Sequence, residues 1–545
     1  MEAVMKKTFK ILDKLILIGI AVSIILFILY PFIEVFKVSI IEDGVIDFSV
    51  FKSLGKEIKL LKNSLTLGVL SMLLSTIVSV IIAIFHFIED KKRKKWIVMV
   101  LMLTMISPPF VSSLSYINLF GRRGLITYNL LKLNTNPYGL TGIVLMQSLG
   151  FISMNALLII GFLNGLDKSV INSARSLGAK TDNIIIDILL PLMKPVITVV
   201  LLLTFVRSLA DFGTPTIIGG AYNVLATEGY LAVIAEGNIR RAAVINVLIL
   251  IPALIVFVLY SKSFGNVTMN NQGVGDSSVE LERKGILFHV FRLVSILFIF
   301  WLLLQYGSII LSAFTRMKKG KMIFTMENFI NSRPYISDSF IRSIVYSLIA
   351  GVFSSFIGHI LQYYIQLRDM KWMKSIDFIA TMPYIVPGTF FGLGYILAFN
   401  STPLRLTGTA TIVILNVLFK QLPFSTKIGY ASISQINKEL TNSVRDLGGS
   451  ELNELTDLVL PVSKDGLYIS FVNGFTSTMT TIGSIIFLVY PTQKLATLVM
   501  FDVIQSGKYE IGSVIALYII LTCLLVNGIY YLILNLRRGK YASRN

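Results

Sequence analysis

One segment that occurs twice decides the fold of this chain. Residues 166–191 read LDKSVINSARSLGAKTDNIIIDILLP, and residues 436–461 read INKELTNSVRDLGGSELNELTDLVLP. The two align without a gap at an offset of 270 residues, and ten of the 26 aligned positions are identical. A repeat of this kind predicts two structural copies in tandem. We call the stretches repeat segment 1 and repeat segment 2.

The composition indicates a membrane protein. Of the 545 residues, 54% are apolar and 14% are charged, whereas soluble domains carry roughly 25% charge. The chain is also too long for one core, because single cores stop growing near ~250–300 residues. Its one cysteine, Cys523, excludes an internal disulfide. The net charge of +19 fits basic cytoplasmic loops in the bilayer, so no nucleic-acid partner is expected.

Twelve stretches are apolar over a length that suits a bilayer-crossing helix, which needs ~20 residues. They lack the alternation of a barrel strand, so we expect an all-α polytopic membrane protein. Proline and glycine interrupt several of them. The stretches are 15–35, 65–87, 97–119, 141–163, 196–218, 242–260, 286–312, 341–364, 376–399, 408–428, 466–489 and 511–535.

The offset of the repeat also carries the start of the first span onto the start of the seventh. The sequence therefore predicts two six-span halves, 1–262 and 285–545, joined by a linker at 263–284 that is rich in Asn, Gly, Ser and Val. Because six is even, the halves are parallel repeats. An even total also places both termini on one side, and the basic run at 91–95 marks that side as cytoplasmic.

Each repeat segment falls between the fourth and fifth spans of its half, on the basic side. A glycine after the first apolar run suits a helix C-terminus, and a proline suits the start of the next helix. We expect two short helices, which either pack on their own bundle or dock a second protein; the duplication favours docking. The apolar positions follow helical spacing and are Leu166, Val170, Ala174, Leu177, Ile436, Leu440, Val444 and Leu447.

The repeat segments resemble the loop motif of binding-protein-dependent ABC transporter permeases. That motif runs Glu-Ala-Ala, three residues, Gly, and ends in Ile-x-Leu-Pro. Its counterparts here are Asn172-Ser173-Ala174 with Gly178 and Pro191, and Asn442-Ser443-Val444 with Gly448 and Pro461. The spacing of 13 residues from glycine to proline matches. Both copies depart from the family by carrying Asn where Glu is usual.

Further stretches resemble one branch, the fused ferric-iron-type permeases. They are 107–111, 119–126, 211–215, 225–228, 383–388 and 392–395. The resemblance covers nearly the full length and implies the type I ABC importer permease fold, with ferric iron as cargo. Related branches carry phosphonates, thiamine, polyamines or sulfate, and these stay open as alternatives.

The resemblance also implies partners and a place in the cell. Two copies of an ABC ATPase would dock on the repeat segments, and an extracytoplasmic solute-binding protein would deliver cargo at the bacterial inner membrane. The chain has no GxxxxGK[ST] phosphate loop, so we expect a non-catalytic subunit whose partner binds ATP and Mg²⁺. The implied coupling residues are Lys168, Asn172, Ser173, Ala174, Arg175, Gly178, Pro191, Lys438, Asn442, Ser443, Arg445, Gly448 and Pro461.

Intramembrane charge and broken helices point to a translocation path. Arg207 and Asp211 lie four residues apart on one helix face, so they either pair with each other or contact cargo. The proline breaks in the third and ninth spans form either a gate or structural kinks. The candidate path residues are Pro108, Pro109, Arg207, Asp211, Phe212, Gly213, Pro383, Pro387 and Gly388. The isolated histidines, His86, His289 and His359, predict no metal site.

Two other classes of protein compete with this interpretation. A secondary transporter can also have two six-span halves, but it needs ionisable groups in its spans, and we expect few beyond Arg207 and Asp211. It would also leave the repeat segments unexplained. A membrane-embedded enzyme should show a catalytic polar cluster, and none stands out.

Overall fold

The structure is a computed structural model that describes residues 2–42, 44–47, 55–108, 110–133, 136–167, 169–269, 281–318, 321–490 and 493–542. Within these residues the regular structure is helical apart from two antiparallel hairpins. One hairpin pairs Ile41–Glu42 with Val45–Ile46, and the other pairs Thr315–Lys318 with Lys321–Phe324. The expected all-α fold class is confirmed.

The helices fall into two similar series. In the first half they are Glu2–Ile24, Tyr30–Ile40, Gly55–Ile88, Lys91–Met105, Phe110–Phe120, Leu140–Asn164, Ser169–Ser176, Thr181–Asn183, Leu190–Ala210, Gly213–Ile218, Leu225–Ile234 and Ile239–Met269. In the second half they are Ile286–Phe314, Glu327–Gln366, Met373–Thr381, Gly388–Phe399, Ala410–Ile433, Lys438–Asp446, Glu451–Asn453, Leu460–Val462, Lys464–Thr480, Ala496–Gln505 and Tyr509–Ala542. Short π-helical stretches are Ile25–Leu29, Leu125–Leu130, Ile184–Leu189 and Glu454–Val459, and Met382–Tyr384 is a 3₁₀ turn.

Eight helices of the described chain are long and apolar enough to cross a membrane, and two bent pairs raise the count to ten. One pair, within the expected span 97–119, bends by 98° next to Pro108, and the other, within 376–399, bends by 116° before Gly388. Proline removes a helical hydrogen bond, so breaks at these places are expected. The other two expected spans hold Ala410–Ile433 and Lys464–Thr480, which are not among the ten, so the total of twelve stays a prediction.

The two halves repeat each other in structure as well as in sequence. Leu140–Asn164 and Ala410–Ile433 begin 270 residues apart, and so do the π-helical stretches of the two repeat segments. The domain boundaries themselves stay a prediction. The helix Ile239–Met269 continues into the expected linker 263–284, and residues 270–280 of that linker lie outside the described residues.

The first span of each half packs against the other half. Ile286–Phe314 contacts Gly55–Ile88 and Phe110–Phe120 of the first half, and the Tyr306 hydroxyl lies 2.6 Å from the Ser107 hydroxyl. In the reverse direction, Tyr30–Ile40 contacts Gly388–Phe399. The halves are therefore interlocked by exchanged spans.

Small and polar residues allow the spans of one half to approach closely. A Cβ atom added at Gly358 would lie 2.6 Å from the carbonyl carbon of Ser425, so only glycine fits there. In the first half, the amide of Asn155 donates to the Thr204 hydroxyl at 2.8 Å. Close contacts and interhelical hydrogen bonds of this kind hold helices together in lipid, where apolar burial alone does not.

Candidate functional site

Each repeat segment begins with a capped short helix. Asp167 accepts hydrogen bonds from the backbone N–H and hydroxyl of Ser169, at 2.9 and 2.8 Å, and these bonds lower the pKa of Asp167. In repeat segment 2, Asn437 caps its helix by accepting the N–H of Glu439 at 3.0 Å. Side-chain caps stabilise helix N-termini, so both helices start at defined places.

A left-handed glycine turns the chain after each of these helices. Gly178 has φ +83° and Gly448 has φ +85°, a conformation that L side chains rarely adopt. The π-helical stretch that follows leads to Pro191 or Pro461, both exposed near the start of the next helix. The two short helices expected in each segment are therefore present, with the glycine at the turn.

The apolar residues of the segments divide into anchors and exposed side chains. Ile171 and Thr441 are buried and fix the helices to the bundle; the apolar spacing considered in the sequence did not single them out. Leu177 and Leu447, at equivalent positions, are 89% and 90% exposed. Isolated exposed leucines are ordinary on a soluble surface, but two equivalent ones beside rigid turns form a repeated apolar contact point.

The polar coupling candidates occupy different environments. Ser173 and Ser443 donate their hydroxyls to the carbonyls of Ser169 and Glu439, both at 2.9 Å, on their own helices. Arg445 pairs with the buried carboxylate of Glu454 at 2.9 Å. The other candidates are described by exposure: Arg175, Lys438 and Asn442 are exposed, Asn172 and Ala174 are half-buried, and Lys168 lies outside the described residues.

Three of the candidate path residues line one cavity. Pro108, Arg207 and Asp211 border a space of about 350 Å³ that Gln305 and Tyr306 of the exchanged span close from the second half. Asp211 accepts hydrogen bonds from the Gln147 amide at 3.0 Å and from the backbone N–H groups of residues 213 and 214. Pro109 lies outside the described residues.

The guanidinium of Arg207 lies 2.5 Å from the sulfur of Met154. Because Arg207 also borders the cavity, direct contact with cargo and a purely structural role for the Arg207 and Asp211 pair both stay open.

The other path candidates lie where the two halves meet. A Cβ at Gly213 would collide with the ring of Phe110, and one at Gly388 would lie 2.9 Å from the backbone nitrogen of Ser484. Phe212 stands between the halves, with its ring centroid 6.1 Å from that of Phe501. Helix breaks from both halves thus contact each other through glycine and aromatic residues.

A charged residue that the sequence analysis missed supports the second break. Lys420 donates to the carbonyls of Pro383 and Val386 at 2.8 and 3.0 Å, and Pro387 caps the helix that follows. The expectation of nearly bare spans beyond Arg207 and Asp211 is therefore wrong for 408–428. The signal was present as a lysine within an apolar stretch, and the pseudo-equivalent residue at offset 270 is Gly150.

Comparisons with known proteins identify the class of protein. Residues 65–265 match the family described as binding-protein-dependent transport system inner membrane component. The ferric transport system permease protein FbpB of Actinobacillus pleuropneumoniae is 28% identical over 92% of this chain and 75% of its own length. A putative ferric transport system permease protein of Haemophilus influenzae is 30% identical, over 88% and 78%. The chain belongs to this family of ABC permeases.

A shorter relative matches part of the permease. The putative 2-aminoethylphosphonate permease PhnV of Salmonella typhi is 22% identical over 43% of this chain and 89% of its own length. Together with the apolar helices, family membership establishes a multi-pass membrane protein that serves as the permease of a binding-protein-dependent ABC importer. Such a system includes an ATPase and a solute-binding protein.

The permease also has an ionic cluster on loops away from the repeat segments. Arg241 pairs with Glu228 at 2.6 Å and with Glu57 at 3.2 Å, and Lys56 pairs with Glu228 at 3.1 Å. Burial acts to raise the pKa of Glu228, but the bonds from Arg241 and Lys56 outweigh it and hold that pKa below its ordinary value. This cluster joins the short helix Leu225–Ile234 to two spans.

No metal site emerges from the part of the chain that the structure describes. Within it, no three His, Cys, Asp or Glu side chains form a group that could hold a metal ion. His86 and His359 are buried singly.

Proposed function

We propose that this permease imports ferric iron. The observation that supports this cargo is that two ferric transport permeases match about nine-tenths of the chain, one of them at 30% identity. The cavity beside Pro108, Arg207 and Asp211, and the contact between the two helix breaks, would belong to the path, with the breaks acting as a gate.

Energy would enter through the repeat segments. Two copies of the ATPase would dock, one on each segment, with Leu177 and Leu447 filling apolar pockets and Arg175 and Lys438 making polar contacts. The two segments are equivalent in helix, turn and exposed leucine, which supports two equal docking sites. The permease itself would be non-catalytic and hold no cofactor, with ATP and Mg²⁺ bound by the ATPase.

The repeat segments would face the cytoplasm, and both termini with them, in a bacterial inner membrane. The basic run at 91–95 supports this orientation, because cytoplasmic loops are enriched in Lys and Arg. The solute-binding protein would deliver cargo to the opposite face. Cysteines introduced one at a time at Arg175 and at Leu130 should react with an impermeant maleimide only from opposite sides of the membrane.

Uptake by proteoliposomes tests the cargo. The permease is reconstituted with the ATPase and binding protein encoded beside it, and radiolabelled ferric iron, 2-aminoethylphosphonate and spermidine are compared. Iron uptake that needs internal ATP is the expected result. Uptake of the phosphonate alone would favour the class of the PhnV relative, and uptake driven by a proton gradient without ATP would favour a secondary transporter.

Replacement of the two turn glycines tests the coupling. Valine at Gly178 and Gly448 is strained at positive φ and would misplace both leucines. We expect uptake to fall while the amount of permease in the membrane is unchanged. Valine at Gly307, a helical glycine with open space around it, is the control, and equal uptake by both variants would contradict coupling through the segments.

A further inference from the structure

Two ion pairs fix the exchanged first spans to the opposite halves, and their charges are reversed. Asp13, at the start of the first span, pairs with Arg368 of the second half at 3.2 Å. Arg283, just before the seventh span, pairs with Asp90 of the first half at 3.3 Å. Asp13 and Arg283 are equivalent at the repeat offset of 270. We call the pairs anchor 2 (Asp13–Arg368) and anchor 1 (Arg283–Asp90).

The partner residues are equivalent as well. Asp90 lies two residues after the helix Gly55–Ile88, and Arg368 lies two residues after the corresponding helix Glu327–Gln366. The same two places in the fold therefore carry an acid and a base in one anchor, and a base and an acid in the other. If each first span packed on its own half, Asp13 would face Asp90 and Arg283 would face Arg368, and like charges at contact distance repel.

We propose that this charge reversal specifies the exchanged arrangement of the first spans. Anchor 2 is the more buried pair, because the side chains of Arg368 and Asp13 are 19% and 6% exposed. The Tyr364 hydroxyl adds a bond to the Asp13 carboxylate at 3.0 Å. Arg283 is 44% exposed, so anchor 1 is the weaker of the two.

The anchors also connect each exchanged span to the opposite repeat segment. Arg368 lies 3.9 Å from Glu451 in repeat segment 2. In repeat segment 1, Asp182 accepts the N–H of Ile286 at 3.0 Å, and the Thr181 hydroxyl donates to the carbonyl of Glu282 at 2.8 Å. A displacement of either segment is therefore transmitted to a span of the other half, which keeps the halves moving together.

Charge exchange within each pair tests the proposal. In the full chain we expect D13R and R368D each to shorten the half-life of the detergent-solubilised permease at a fixed elevated temperature by at least about fivefold, within the range of coupling between contacting charges. The double variant D13R/R368D should regain most of the loss. The same design with R283D and D90R should give smaller changes. Lys14→Asp and Lys284→Asp, exposed neighbours of the anchors, are the controls.

A second comparison tests specification of the exchange itself. D13R/R283D places like charges at both anchors, and adding R368D and D90R restores both pairs with the signs inverted. Recovery in the fourfold variant supports the proposal. Single variants as stable as their lysine controls, or double variants no better than the singles, would overturn it. These readouts need no cargo, so failure here is distinguishable from failure of the proposed iron transport.

Discussion

The ammonium group of Lys420 lies 2.8 Å from the carbonyl oxygen of Pro383, at the break in the ninth span. A second carbonyl, that of Val386, accepts from the same group at 3.0 Å. The break leaves carbonyls without helical partners, and Lys420 provides their donors. Its pseudo-equivalent, Gly150, has no side chain and borders the cavity of the first half. One half thus fills with a side chain the region that the other leaves open.

Lys420→Met should destabilise the second break. Each carbonyl left without a donor costs about 1–3 kcal/mol, partly offset because a buried charge is also removed. We expect a lower unfolding temperature for the solubilised permease, measured by the fluorescence of a thiol-reactive dye on buried Cys523. Lys427→Met is the matched control, because its side chain on the same helix is 55% exposed. Equal unfolding temperatures would contradict a structural role for Lys420.

Leu177→Ser combined with Leu447→Ser should weaken ATPase docking without affecting stability. Both leucines are almost fully exposed, so the permease loses little burial, whereas burying a leucine in a partner contributes about 1.5–3 kcal/mol. We expect at least about a tenfold weaker affinity for the ATPase in a fluorescence titration. Leu130→Ser, an exposed leucine outside the repeat segments, should bind normally. Unchanged affinity of the double variant would exclude these leucines from the interface.

Arg445→Ala and Arg175→Ala should differ although their positions are equivalent. Arg445 neutralises Glu454, whose side chain is fully buried, whereas the residue equivalent to Glu454 in repeat segment 1 is Ile184. Removing one partner of a buried pair costs about 3–5 kcal/mol, and half-exposure of Arg445 reduces this to about 1–3 kcal/mol. Thermal unfolding should show a loss for R445A alone. The variant R445A/E454L should recover stability, and a loss of the same size in R175A would contradict this account.

Acidification should weaken the cluster around Glu228. Its pKa is lowered in the folded protein, so its contribution is fully present above the ordinary glutamate value near ~4.3 and is lost as pH falls through the lowered pKa. We expect Glu228→Gln to be less stable than the unmodified permease near neutral pH, and the difference to shrink at acidic pH. Glu236→Gln is the control, because that carboxylate is 42% exposed. A difference independent of pH would show that Glu228 acts through packing alone.

Much of the architecture was readable from local chemistry. Apolar length predicted membrane helices, prolines predicted the two bends, and the glycines of the repeat segments predicted the left-handed turns at Gly178 and Gly448. These features depend on a residue and its near neighbours in sequence, because proline removes a backbone donor and glycine alone accepts positive φ without strain. The match between the two segments predicted the duplication without any contact being known.

The tertiary structure alone decided which surfaces meet. The sequence did not reveal that Tyr306 would close a cavity of the other half, that Lys420 would support a break 34 residues before it, or that Ile171 would be an anchor and Leu177 exposed. The physical reason is that lipid and protein interior are both apolar, so an apolar face on a span is compatible with either. Its neighbour is selected by close packing and by a few distant polar contacts such as Asp13 with Arg368.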